Sequence, residues 1–97
     1  MGFKLIIEPE AQEEIYEAIK WYESKQVGLG EHFFNYLDGY FKTLKNGKAA
    51  LEVKKKPVFL ELPLKKFPYI IIYEKYKNQI IVYSIFNAFQ YPYKKLK

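Results

Sequence analysis

The chain has no cysteine, no arginine, one histidine and no hydrophobic run long enough to cross a bilayer. Without cysteine there is no disulfide framework and no thiolate metal site, and a reducing cytoplasm is the compartment such a chain suits. A lone His32, with no carboxylate cluster in the second half, leaves no ligand set for a metal. Ser24 and Ser84 have no histidine partner in pattern, which removes a serine-nucleophile mechanism. All sixteen basic residues are lysine, flexible point charges that lack the planar fork with which arginine grips phosphate. The apolar runs Tyr69–Tyr73 and Ile80–Phe86 fall far short of the roughly 20 residues of a membrane span, so no membrane role is expected. Met1–Ile7 is too short for a signal peptide and runs into an acidic stretch. Gly28-Leu29-Gly30 is not a phosphate loop, because it follows a helical pattern and precedes no Lys-Ser/Thr pair. No cofactor is expected.

What remains is rich in core-forming residues. Apolar side chains make up 49% of the sequence and aromatics 20%, enough for 97 residues to build one core and too few for two. The formal net charge of +5 is unevenly spread. Residues 1–47 carry eight acidic and five basic groups, a balance of −3, and residues 48–97 carry three and eleven, a balance of +8. A basic half attracts nucleic acid or an acidic protein segment; it equally serves as a lysine-rich solubilising surface.

The residue pattern predicts strand, helix, helix and three strands. Phe3–Ile7 is β-prone and stops at Glu8-Pro9, where proline suits the first helical position. Ala11, Ile15, Ala18, Ile19 and Tyr22 recur at helical spacing, predicting a helix from Pro9 to Ser24. Residues 25–30 break it. Phe33 or Phe34, Leu37, Phe41 and Leu44 stripe a second helix that stops at Asn46-Gly47. A loop this short implies an antiparallel helical hairpin. Val58–Leu62, Ile70–Tyr73 and Ile80–Phe86 then read as an antiparallel meander, with a turn in Lys75–Gln79 and the first strand joining the same sheet. The fold class is α+β, a sheet with the helical hairpin on one face.

Four stretches in this order resemble the RelE/ParE toxin superfamily of type II toxin–antitoxin systems, and together they span nearly the whole chain. They are Glu8-Pro9-Glu10-Ala11 with Glu13 and Ile15, and Trp21-Tyr22-Glu23 followed by Gly28-Leu29-Gly30-Glu31 and Phe33. The others are Lys66-Phe67-Pro68-Tyr69 with Tyr73, and Val82–Asn87 with Pro92. The resemblance implies one RelE/ParE-like domain over residues 1–97, with a cognate antitoxin whose acidic, partly disordered segment folds along it. The Gly-Leu-Gly hinge is similar to that of ParE-like members, whose implied action is binding DNA gyrase. RelE-type members instead cut messenger RNA on the ribosome without a metal. Asn87 stands where the family's closing histidine falls and Gln90 where its arginine falls, while Lys65 and Lys66 replace the usual basic residue before Phe-Pro-Tyr. If ribosomal cleavage were retained, Lys65, Lys66, Gln90 and Tyr91 would have to carry it.

For partner binding, a three-residue hairpin turn places Tyr69, Tyr73 and Tyr83 on one sheet face with Ile71, Ile81 and Ile85. Flanked by Lys65, Lys66, Lys75 and Lys77, and closed by Asn87, such a face could stack on bases or dock a peptide; ordinary sheet packing is the plainer reading. The opposite face, Ile70, Ile72, Ile80, Val82 and Phe86, is then the expected floor of the core. Ile15, Ile19, Tyr22, Leu37, Phe41 and Leu44, with Leu5 or Ile6, complete it. His32 is expected at the surface or its rim.

Overall fold

The computed structural model describes residues 2–47, 53 and 54, and 59–89. Strand β1 (Lys4–Ile7) leads into helices α1 (Pro9–Lys25) and α2 (Leu29–Lys45), and these into strands β2 (Val53–Lys54), β3 (Leu60–Pro63), β4 (Tyr69–Tyr76) and β5 (Gln79–Asn87). The sheet order is β1-β5-β4-β3-β2. Strands β2 to β5 form an antiparallel meander, whereas β1 lies parallel to β5, so the sheet is mixed. The helical hairpin makes this possible by carrying the chain from one edge of the sheet to the other before the meander returns. The two-residue strand β2 is one more than the sequence pattern suggests.

The helices follow from their stripes. Ala11, Ile15, Ala18 and Tyr22 from α1 and Phe33, Leu37, Phe41 and Leu44 from α2 are all buried, with Ile19 and Leu5 packed partly buried against them. The bend between the helices uses its glycines differently. Gly28 sits at φ 90°, a left-handed conformation that disfavours a side chain. Gly30 has an ordinary backbone, but a Cβ there would lie 2.7 Å from the Ile19 carbonyl oxygen. The first glycine turns the chain; the second lets the helices touch.

Glu23 ties the bend together. Its two carboxylate oxygens accept the backbone N–H groups of Gly28 and Gly30, each at 2.9 Å. These two bonds hold its carboxyl below the ordinary glutamate value, against a small opposing effect of desolvation. A depressed folded-state pKa contributes stability above the unfolded value, about 4.3, and that contribution disappears as pH falls through the folded value. Glu23→Gln is therefore expected to lower the thermal midpoint at neutral pH and to flatten its decline in acid. Parallel melts of the two proteins across the acid range check this, and parallel curves would remove Glu23 from the account.

The β4–β5 hairpin corrects the predicted face. Its loop has two residues, Lys77 and Asn78, with Lys77 at φ 57°. Register runs Tyr76↔Gln79 to Tyr73↔Val82 and then slips, because Tyr83 is an extra residue, so that Ile72 meets Ser84 and Ile71 meets Ile85. Shorter turn and bulge together reassign the faces. Tyr69, Ile71 and Tyr73, with Ile80, Val82 and Ile85, line the core beneath the helices. Ile70, Ile72 and Ile81 lie half-buried, outside that core. The slip also aims backbone at α1: the Ile85 N–H and the Ser84 hydroxyl both donate to one Glu14 oxygen, each at 2.8 Å. That carboxylate satisfies the buried Ser84 and pins the first helix to the bulged strand.

Candidate functional site

The segment Leu64–Pro68, which joins β3 to β4, is where the resemblance placed its basic residues. Its geometry begins with Phe67. The Phe67 ring lies 5.0 Å from Tyr22, 5.0 Å from Phe33 and 5.4 Å from Tyr36, centroid to centroid, mostly edge to face or tilted. Such contacts favour a fixed ring orientation. With Phe67 held inward, the neighbouring Lys65 and Lys66 point to solvent. His32 is exposed, as expected, with its ring 6.0 Å from Phe67.

Two tyrosines on α2 hold the lysine backbone. Tyr40 Oη accepts the Lys65 N–H at 3.2 Å, Tyr36 Oη accepts the Lys66 N–H at 3.1 Å, and the two hydroxyls are 3.2 Å apart. The Lys66 ammonium lies over the Tyr36 ring, 5.7 Å from its centre. Beside them opens a shallow pocket of about 440 Å³, walled by the tyrosines, Leu62 and Lys65. Desolvation pushes the Tyr36 phenol up. The hydrogen bond from Tyr40, the two lysine N–H groups and the Lys66 charge outweigh it, leaving Tyr36 below the ordinary tyrosine value. Tyr40 moves the other way, raised by desolvation and by its hydrogen bond with Tyr36. The result is a polarised phenol beside two cations, an arrangement able to bind an anion or pass on a proton.

This pairing predicts an asymmetric titration. Ring-carbon NMR should show Tyr36 ionising below, and Tyr40 above, the ordinary tyrosine range. Tyr40→Phe removes that hydrogen bond and should move Tyr36 upward. An unmoved Tyr36 would show that the two hydroxyls are not coupled.

The remaining sequence-derived positions are dispersed. Tyr73 is wholly buried and Tyr69 nearly so, both in the core under the helices, so the expected open face of three tyrosines does not exist. Tyr83 is half-buried and outside that core. Its hydroxyl donates to Glu74 at 2.6 Å and its ring meets Phe59 edge-on at 5.2 Å. The bond to Glu74, with desolvation and the nearby carboxylate charges, pushes its phenol up to about 12. The lysines do not flank one surface either. Lys65 and Lys66 precede β4, while Lys75 and Lys77 lie at its far end, with Lys77 over the Tyr76 ring. Six residues of strand, Tyr69–Glu74, lie between the two pairs and span about 20 Å. Asn87, at the end of β5, is opposite Tyr69, and its hydrogen bond partly offsets the rise that desolvation gives the Tyr69 phenol. Gln90 and Tyr91 lie outside the described residues.

Of the expected set, the structure pairs Asn87 with Tyr69 and keeps Lys65 and Lys66 together, and to the two lysines it adds Tyr36 and Tyr40. Their i, i+4 spacing on α2 was visible in the sequence as a shared helical face. Their contact with a loop 25 and 30 residues away was not. Among the described residues no group of histidine, aspartate or glutamate side chains could hold a metal ion. No helix among them is long and apolar enough to cross a membrane.

Neither a family model nor a curated protein matches the chain in sequence. A solved structure does match in fold: a chain of the chromosomal ParDE toxin–antitoxin system from P. aeruginosa. The superposition has a TM-score of 0.74 at 14% identity and covers 89% of this chain and 96% of that one. The α+β architecture is therefore that of a ParDE component, consistent with the RelE/ParE-like fold that the four sequence stretches imply.

Proposed function

We propose that this protein is the toxin of a type II toxin–antitoxin pair, neutralised by an acidic, partly disordered antitoxin segment and acting on its target by binding. The observation that carries this reading is the match to a ParDE chain over nearly the full length of both molecules. The ParE-like character of the Gly28-Leu29-Gly30 hinge makes DNA gyrase the first target to examine, on family analogy. Binding is favoured over cleavage because Asn87 does not titrate near neutral pH and no arginine is available to stabilise a phosphorane-like charge. The basic half would steer an acidic segment, so association should slow steeply as ionic strength rises. A flat association rate across a salt series would remove steering from the mechanism.

The purified protein, added to a gyrase supercoiling assay and to a translating ribosome extract, tests the proposal. Inhibition of supercoiling with intact messenger RNA is the expected result. Codon-specific cuts in the extract would replace it with the ribosome-dependent endoribonuclease reading, for which the polarised Tyr36 beside Lys66 is the supporting observation. Inertness in both assays, with normal growth on overexpression, would mark a descendant that has kept only binding to its antitoxin.

A further inference from the structure

Gly39 stands in the middle of α2, where glycine weakens a helix, yet nothing in the packing requires it. A Cβ at that position would meet no atom within 4 Å, and the backbone there is not left-handed. What the missing side chain leaves open is the pocket of about 440 Å³ beside the Leu64–Pro68 loop. Gly39 lines it together with Tyr36, Tyr40, Leu62 and Lys65. That volume falls in the range of small-molecule sites, about 300–1,000 Å³, and the lining is mainly apolar.

The rim of the pocket is polar. Tyr40 and Tyr36 each accept one loop N–H, and their hydroxyls share a hydrogen bond whose proton can come from either. A hydroxyl has a single proton to give. Whichever tyrosine donates to the other, one phenolic O–H is left without a partner among the described residues. The N–H groups of Lys65 and Lys66 are committed to the tyrosines, so they cannot cradle a phosphate. The site offers one O–H, two exposed lysines and an apolar floor.

The geometry points to this pocket as a binding site for a monocarboxylate that carries a short apolar body. One carboxylate oxygen accepts the spare phenolic proton, the other pairs with a lysine ammonium, and the apolar body lies over Leu62 and Gly39. A phosphate, with three oxygens to satisfy and no apolar part, finds too few donors. Tyr36 lies below the ordinary tyrosine value even though desolvation pushes it up, so its hydrogen bonds and the Lys66 charge already favour an anion here. The inference does not rest on the toxin reading, because a free acid and a glutamate of a partner peptide present the same group.

The probe is 3-phenylpropionate, followed through the amide NMR shifts of Lys65, Lys66 and Gly39. Saturable shifts at these amides are expected, with a rise in the Tyr36 pKa, since a bound anion opposes the phenolate. Uncharged 3-phenylpropionamide and inorganic phosphate should each bind at least about 10-fold more weakly, the worth of one hydrogen bond to a charged group. Gly39→Leu fills the pocket, leaves both tyrosines in place and should abolish the shifts without lowering the thermal midpoint. Y36F and Y40F each leave one O–H, so either alone should keep most of the affinity, whereas Y36F/Y40F should lose about 10-fold. If the double variant does not fold, Gly39→Leu decides. An end-blocked Leu-Glu-Leu peptide, titrated beside the free acid, separates the two sources, and the tighter of the two names the ligand. Absence of saturable shifts, equal binding of the amide, tighter binding of phosphate, or binding that survives Gly39→Leu would overturn the proposal.

Discussion

Phe33→Ala is expected to destabilise the protein by about 3–5 kcal/mol, the usual loss for a fully buried phenylalanine. Phe33 has no exposed surface, and its ring lies 5.1 Å from Tyr22, 5.0 Å from Phe67 and 5.3 Å from Tyr69. It thus joins α1, the loop before β4 and the first residue of β4. A cavity at that point cannot be filled by one neighbour, because each of the three rings belongs to a different element. The loss should also reach the candidate site. Phe67 is what turns Lys65 and Lys66 outward, so hydrogen exchange at the Lys65 and Lys66 amides should quicken beyond the global effect. Phe34→Ala is the control. That ring is 45% exposed, turned about 100° around the helix from Phe33, and its loss should move the unfolding midpoint little. Equal midpoints for the two variants would overturn the assignment of Phe33 as the centre of the aromatic cluster.

The contrast between Phe33 and Phe34 shows what the sequence could and could not convey. Helical periodicity located α1 within a residue, since Ala11, Ile15, Ala18 and Tyr22 leave little choice of face, whereas α2 begins at Leu29, inside the stretch read as a break. It left Phe33 and Phe34 undecided, because either fits a stripe through Leu37 and Phe41. The hairpin failed for a different reason. A period of two gives both faces of β4 as plausible floors, since Tyr69, Ile71 and Tyr73 are no less apolar in bulk than Ile70 and Ile72. Only the turn length and the bulge at Tyr83 decide between them. Neither carried a signal: Lys77 adopts its left-handed conformation without being glycine, and a bulge has no fixed residue type. Strand β2 is two residues long and has no period to read. The lysine pair was found through resemblance, but the tyrosines that hold it belong to another element, and one sequence does not show contacts between distant segments.

That pair supports the second large effect. Lys65→Met with Lys66→Met keeps side-chain length and removes two adjacent cations from the loop. The backbone N–H groups that bind Tyr40 and Tyr36 are untouched, so the fold should persist. Tyr36 should rise toward the ordinary tyrosine value as the Lys66 charge disappears. If the protein acts by binding, association with an acidic antitoxin segment should slow by about 10-fold at low salt, the lower end of what electrostatic steering supplies, and become less sensitive to salt. The two effects separate local from long-range roles: Tyr36 reports the ammonium above its ring, whereas the association rate reports the field of the basic half. Lys75→Met with Lys77→Met, at the far end of β4, removes the same charge and should slow association comparably while leaving Tyr36 unmoved. If cleavage is the activity, the pairs will differ much more sharply. The Lys65/Lys66 change should then abolish cutting of ribosome-bound messenger RNA by removing several kcal/mol of transition-state stabilisation, and the distal pair should spare it. Equal, modest slowing by both pairs is the expected result. Messenger cuts that vanish only with Lys65 and Lys66 would overturn the binding reading in favour of catalysis at the Tyr36 loop.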